Sequence, residues 1–195
     1  MERPTLLPFL LSFALLLGCT TVQRTSIEQE NSNPLTASRY GDELADTMAN
    51  LIIMNDPLVK EPGMQERIQK EITHGKEIAI AARDKAAEGM QAAIISMKEA
   101  VSGYALYVDD TLYFSSDFTT KPGPALHVYL TTVVDPRDVT FPDPTALDLG
   151  SLQTTYGQQR YAVPSQKKPE LLRTVVLWDT TLNRLYGFGQ LSKRG

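Results

Sequence analysis

Apolar side chains along this chain keep two periods, a helical one up to about residue 101 and a two-residue alternation after it. Leu44, Met48, Leu51 and Ile52 recur on one helical face, with Ser38 as the expected N-cap and Asn55-Asp56-Pro57 ending the run. A second helix is expected from Pro62, which suits a first turn. Its apolar or small positions are Met64, Ile68, Ile72, Gly75, Ala79, Ala82, Ala86, Met90, Ala93 and Met97, three or four apart and stopping before Gly103. A stripe this rich in Ala and Gly lets two backbones approach, so the pair is expected to fold back as an antiparallel hairpin. Unbroken, the second helix would run on the order of 60 Å at 1.5 Å per residue, so a kink near Gly75 or Gly89 is expected. The plain reading is packing that completes the protein's own core. Ile53, Ile78, Ile80, Ile94 and Ile95 widen the apolar surface beyond one seam, which points further, to a stalk that binds a partner.

The second period starts with Tyr104 to Val108 and Thr111 to Phe114, which flank Asp109-Asp110 as a hairpin. Pro122, Gly123 and Pro124 cannot continue a helix, and Leu126, Val128 and Leu130 then alternate with His127 and Tyr129. Blocks at residues 147–152, 156–164, 175–178 and 185–191 follow, each closed by Gly, Pro or Asp. Short strands with this punctuation predict a sandwich or small barrel, with Trp178, Tyr186, Phe188, Phe114 and Tyr129 as its large core residues. Residues 134–144 form an acidic, Pro-interrupted loop and residues 164–170 another.

The N-terminus changes the setting. Arg3 precedes an almost unbroken apolar run over residues 6–17, too short to span a bilayer and of the kind that directs export. Leu16-Leu17-Gly18-Cys19 resembles the lipobox of bacterial lipoproteins, which implies cleavage before Cys19 and acylation of its sulfur and new amino group. Thr20 is not the aspartate associated with inner-membrane retention, so an outer-membrane anchor facing the periplasm is expected. Residues 19–37 are polar and read as a tether. Cys19 is the only cysteine, so a lipidated chain keeps no thiol for a disulfide, a metal site or a nucleophile. The net charge of −4 and the absence of a basic stripe argue against a nucleic-acid partner.

The order of blocks carries a resemblance. Phe118 followed by Gly123-Pro124-x-Leu126-x-Val128-Tyr129-Leu130, then Gly150, Gly157, Tyr161, Pro164, Trp178 and Gly187, resembles the DM13 family over residues 103–191. The resemblance implies an extracytoplasmic β domain, and the family is proposed to serve in electron transfer. It also implies a cysteine after the block matching Val175-Val176-Leu177-Trp178, to which that redox role is attached. Here the position is Asp179, and an aspartate can neither cycle through a disulfide nor offer a thiolate. Asp179 is expected instead at a strand end, accepting backbone hydrogen bonds and helping to turn the chain toward Asn183.

Other candidate chemistry is sparse. Glu71-x-x-His74-x-x-Glu77 lies on one helical surface, but a di-iron bundle needs two such motifs on facing helices, and only His127 remains elsewhere, so a solvated face is expected. Asp135, Asp138, Asp143 and Asp148 lack EF-hand order and are broken up by prolines, so an ordinary acidic loop is expected rather than a calcium site. His127 is expected to be a hydrogen-bonded structural histidine, because the sequence shows no nucleophile beside it and no phosphate or dinucleotide loop. The expectation is an α+β chain: signal peptide 1–18, tether 19–37, helical segment 38–101 and DM13-like β domain 102–195. It is expected to act as a lipid-anchored binding or interaction module of the cell envelope, without cofactor, metal or enzymatic activity. Its expected partners are the membrane, through the lipid, and an envelope protein, through the helical segment. The alternative is an electron-transfer lipoprotein.

Overall fold

The computed structural model describes residues 31–193, so the export signal, Cys19 and the tether up to residue 30 lie outside the described residues. Helix α1 spans Pro34–Ile53 and α2 spans Met64–Glu88, joined by a 3-10 turn at Pro57–Lys60. They pack as the antiparallel hairpin that the small-residue stripe predicts.

Three expectations about the helices are corrected. First, α1 begins four residues before Ser38, so residues 34–37 belong to the helix and not to the tether. Asn33 is the cap: its Oδ1 accepts from Leu35 N–H at 3.0 Å, and Pro34 fills the first helical position, where no N–H is needed. Second, α2 starts at Met64 and stops at Glu88, giving about 38 Å from 25 residues, not 60 Å. Third, Gly89 ends the helix instead of kinking it. Gly89 takes an extended conformation, while Gly75 lies inside the helix, in the seam against Gly41.

Strands therefore begin at Met90, before the expected boundary at residue 102: β1 is Met90–Ala93, β2 Ile95–Ser96 and β3 Val101–Ser102. Ala92 and Ile94 are buried at alternate positions and belong to the β core, so Ile94 is not part of an outer helical surface. A β domain cut at residue 100 would lose an edge strand from each of two sheets.

The remaining strands are β4 Tyr104–Val108, β5 Thr111–Phe114, β6 Thr119–Thr120, β7 Leu126–Thr131, β8 Leu147–Ser151, β9 Gln159–Ala162, β10 Thr174–Asp179 and β11 Arg184–Gln190. One antiparallel sheet runs β1-β4-β5-β9, the other β2-β11-β10-β7-β8, and β3 pairs with β6. The two sheets face each other as a sandwich rather than closing into a barrel. Ala105, Tyr107, Leu112, Phe114 and Tyr161 from one meet Leu126, Val128, Leu130, Val175 and Leu177 from the other. Asp109 and Asp110 turn the β4–β5 hairpin at φ 48° and 50°, the left-handed pair that a two-residue turn requires.

The large aromatic residues do not share one core. Phe114 and Tyr186 lie between the sheets, whereas Tyr129, Trp178 and Phe188 form a second cluster with Val176 on the outer face of the five-stranded sheet. The acidic 134–144 loop covers that face. Phe141 meets Tyr129 edge-on at 5.4 Å and Trp178 at 5.1 Å, and the Arg137 guanidinium lies 5.2 Å from the centre of the Phe188 ring. On the four-stranded sheet's outer face, Leu106 is fully buried, with Gly89 at the end of α2 packed on it. The hairpin base is tied there by Asn33 Nδ2 donating to Phe114 O at 2.8 Å and by an ion pair between Lys85 and Asp109. Away from this base the helices pack on each other through Ala45, Ile68 and Ile72.

Candidate functional site

The sequence singled out Asp179, and the structure places it at the end of β10 with no exposed surface. Oδ2 accepts from Ala125 N–H at 3.1 Å, and Oδ1 accepts from Thr181 N–H at 3.0 Å and Leu182 N–H at 2.8 Å. The chain returns the tie, with Thr180 N–H donating to Ala125 O at 2.9 Å. One carboxylate thus fastens the entry of β7 to the exit of β10 and orders the turn into β11, in which Asn183 takes φ 50°. This is the strand-end role expected of it.

Gly123 is a glycine because of this contact. Its φ is unexceptional, but a Cβ there would fall inside contact distance of Asp179 Oδ2, 2.8 Å from Tyr186 Oη and 3.0 Å from Leu126 Cγ. The Tyr186 phenol is pushed up by burial first and then by the negative Asp179 and Glu99, with Arg184 acting the other way. Tyr186 reaches this place through a bulge: β10 and β11 change register between Leu177 and Trp178, leaving Tyr186 as the extra residue beside Gly187. Gly123, Leu126, Asp179 and Tyr186 therefore share one end of the sandwich, next to the exposed Pro124. Sequence reading placed Tyr186 in the core without showing that it faces Asp179, since a bulge is not visible in apolar alternation.

The other motif residues lie elsewhere. Gly187 backs β2, where a Cβ would sit 3.0 Å from Ile95 O. Gly157 turns at φ 81° and its N–H donates to Phe118 O at 2.8 Å. Tyr161 Oη accepts from Gln153 N–H at 3.0 Å and donates to Gln159 Oε1 at 2.8 Å, and burial pushes this phenol up to about 12. Trp178 belongs to the outer aromatic cluster. Gly150, at φ 100°, sits in β8 beside Asp148 and Ser151.

His127 is hydrogen-bonded, as expected, and its partners are specific. Nδ1 lies 3.0 Å from both Asp148 carboxylate oxygens, and Nε2 lies 3.2 Å from Ser151 Oγ. Tyr129 stacks beside the ring at 6.2 Å and 27°, and its phenol is pushed up to about 12 by burial and then by Asp148. Ser151 is the residue that sequence reading missed here.

The four loop aspartates do not converge. Asp135 pairs with Arg137, Asp148 with His127, and the buried Asp143 accepts from Thr131 Oγ1 at 2.6 Å and from Thr145 N–H at 2.8 Å. Burial alone would push the Asp143 carboxyl up, but the hydrogen bonds from Thr131 and Thr145 outweigh it and hold it below its ordinary value. A depressed folded value means stability that is present above the unfolded carboxyl value and lost as pH falls through the folded one. Asp143→Asn is therefore expected to destabilise by about 1–3 kcal/mol near pH 7. The deficit should shrink below about pH 4. Thermal melts of both proteins from pH 7 to pH 3 check this, and a deficit that grows on acidification would contradict it. Glu71, His74 and Glu77 are all exposed on α2, and among the described residues no group of three His, Cys, Asp or Glu is placed to hold a metal ion.

Fold and site together define a two-sheet antiparallel β-sandwich carried behind a helical hairpin, with a motif-bearing end closed on a buried strand-end carboxylate. The family model described as "Electron transfer DM13" matches residues 94–191, half of the chain. The chain belongs to the DM13 family. The match begins at Ile94, so β1 and both helices precede it. No curated protein and no solved structure matches the chain.

Proposed function

We propose that this is a bacterial envelope lipoprotein, anchored through Cys19 in the outer membrane and facing the periplasm, whose DM13 domain and hairpin act as a binding or interaction module rather than as an electron carrier. The observation that carries this reading is the use made of Asp179. At the position where the family resemblance implies a redox cysteine stands a carboxylate whose oxygens accept three backbone N–H groups. Such a group organises a turn and has no thiol–disulfide couple. The surface available for binding is in keeping with the reading: Ile53 and Met54 at the hairpin tip are 73% and 78% exposed, far more than apolar side chains of a closed core. Among the described residues no helix is long and apolar enough to cross a membrane, and in the proposal the lipid supplies the attachment.

Two measurements test it. The wild type should take up acyl label and stay with membranes through a salt wash, because several acyl chains hold firmly where one binds reversibly. Cys19→Ala should lose both properties. Protein purified from its own envelope should give no reversible voltammetric wave. An unlabelled wild type released by salt would end the lipoprotein reading. A stoichiometric chromophore or a reversible wave that survives removal of small molecules would replace the binding role with electron transfer.

A further inference from the structure

Ser151, His127 and Asp148 are joined in the order that activates a nucleophilic serine. The carboxylate lies on Nδ1 of the imidazole, 3.0 Å away, and the hydroxyl lies on Nε2, 3.2 Å away. With Nδ1–H donating to Asp148, Nε2 is the lone-pair nitrogen and is free to take the Ser151 proton. These distances meet the geometric requirement for a nucleophile, its base and the group that orients the base.

The backbone is built to bring the three together. In a regular strand, residues 148 and 151 would point to opposite faces of the sheet, since side chains alternate. The β7–β8 register shifts between His127 and Tyr129, which pair with Ser151 and Asp148. One extra residue enters β8 there, and Gly150 takes φ 100° in the bulge. That insertion puts Asp148 and Ser151 on the same face as His127. The Asp148 carboxylate is held from behind by Gly150 N–H at 2.8 Å.

The ladder also places a donor. Leu152 N–H donates to Leu126 O at 2.7 Å, so those two residues form a hydrogen-bonded pair and the adjacent His127–Ser151 pair is the non-bonded kind. This spacing brings the two side chains close and turns Ser151 N–H away from β7. Because β8 is the outermost strand of its sheet, that N–H faces the open edge. The nucleophile's own N–H is one of the two donors of a serine-hydrolase oxyanion hole.

We propose that Ser151 is a nucleophile activated by His127 and positioned through Asp148, and that the site takes activated carboxylic esters presented at the open edge of β8. This goes beyond the binding role and does not depend on the lipid anchor. In the reaction Ser151 Oγ bonds to the ester carbonyl carbon as its proton passes to His127 Nε2. The ester C–O bond breaks, the leaving alkoxide takes that proton, and an acyl-Ser151 remains. Water then attacks the acyl carbon with His127 again accepting the proton and returning it to Ser151 Oγ, which releases the acid. Only one oxyanion donor is placed, and losing a donor lowers rates about 100- to 1000-fold, so acylation by activated esters is expected with slow turnover.

The test uses the full chain with a fluorophosphonate, which phosphonylates an activated serine with loss of fluoride, and with p-nitrophenyl acetate. Expected are one label per chain, mapped to Ser151 by peptide mass, none in Ser151→Ala, and a rate about 100-fold or more lower in His127→Gln. Asp148→Asn tests positioning: labelling should slow about 10-fold or more, while Asp148→Glu, which keeps a carboxylate for Nδ1, should recover much of the rate. A merely structural hydrogen bond would leave the labelling rate of the folded variants unchanged. Circular dichroism checks that the variants are folded. The label map of the wild type decides on its own should a variant fold poorly. An unlabelled Ser151, label spread over many serines, or His127→Gln reacting at the wild-type rate would overturn the proposal.

Discussion

Asp179→Ala is expected to destabilise the sandwich by about 3 kcal/mol, because three part-buried N–H groups would lose a charged acceptor, and each such bond is worth roughly 1.5–3 kcal/mol, less where solvent reaches the donor. The carboxylate itself is fully buried, and among the described residues no other side chain accepts from Ala125, Thr181 or Leu182 N–H. A single domain has about 5–15 kcal/mol in total, so a loss of this size removes a large share of its stability margin. Asp179→Asn should fall between: its carbonyl can serve Thr181 and Leu182, but its NH2 then faces the Ala125 N–H. Asp179→Cys, which installs the residue implied by the family resemblance, should also destabilise, since sulfur is a weak acceptor for all three donors. Urea unfolding followed by Trp178 fluorescence is well placed to read this, as Trp178 is the only tryptophan and the residue before the substitution. A loss under about 1 kcal/mol for Asp179→Ala would mean that the turn finds other acceptors, and the structural role assigned to the carboxylate would fail.

How much could be read from sequence depended on whether the determining contact was local. The Asp109-Asp110 hairpin was legible because two turn residues and two flanking strands fix each other within eleven residues. The end of α2 was not, because Met90, Ala93 and Met97 continue a three-or-four spacing and are good helix formers; pairing with β4 and β11 overrides that preference after Gly89. The run from Val175 to Trp178 does carry a signal that the alternation argument passed over. Four apolar residues in a row mark a strand buried on both faces, and Val176 and Trp178 indeed lie opposite to Val175 and Leu177. The site was half legible. Asp179 was placed correctly from its residue type and its position before a turn, but Tyr186, Asp148 and Ser151 were hidden because two bulges reset which side chains share a face. A glycine inside a strand pattern, as at Gly150, is the one local mark such a bulge leaves.

The small-residue stripe on the helices was legible as a stripe, while its mate Gly41 was not, and the pair sets up the second large effect. At Gly75 a Cβ would lie 2.6 Å from Gly41 O and 2.9 Å from Ala45 N, and at Gly41 it would strike Gly75 O and lie 2.7 Å from Ala79 N. These are backbone atoms of the opposite helix, so the strain can be relieved only by moving the helices apart. Two terms then compete at Gly75→Ala. Removing glycine from a helix interior favours folding by about 1 kcal/mol. Overpacking opposes it by roughly 1–3 kcal/mol, leaving a small net loss. Gly75→Leu gains the same propensity but inserts a whole side chain into the seam, and is expected to lose more than Gly75→Ala does and to splay the hairpin. The loss should appear first in the helices. Their apolar cluster is drawn from Ala45, Ile68, Ile72 and their neighbours and shares no residue with the two clusters of the sandwich. Ellipticity at 222 nm should therefore melt at lower temperature in Gly75→Leu while Trp178 fluorescence keeps a transition close to the wild type. Coincident transitions, both shifted down, would show that hairpin and sandwich unfold as one unit. A Gly75→Leu protein as stable as the wild type would show that the helix backbones are not in contact.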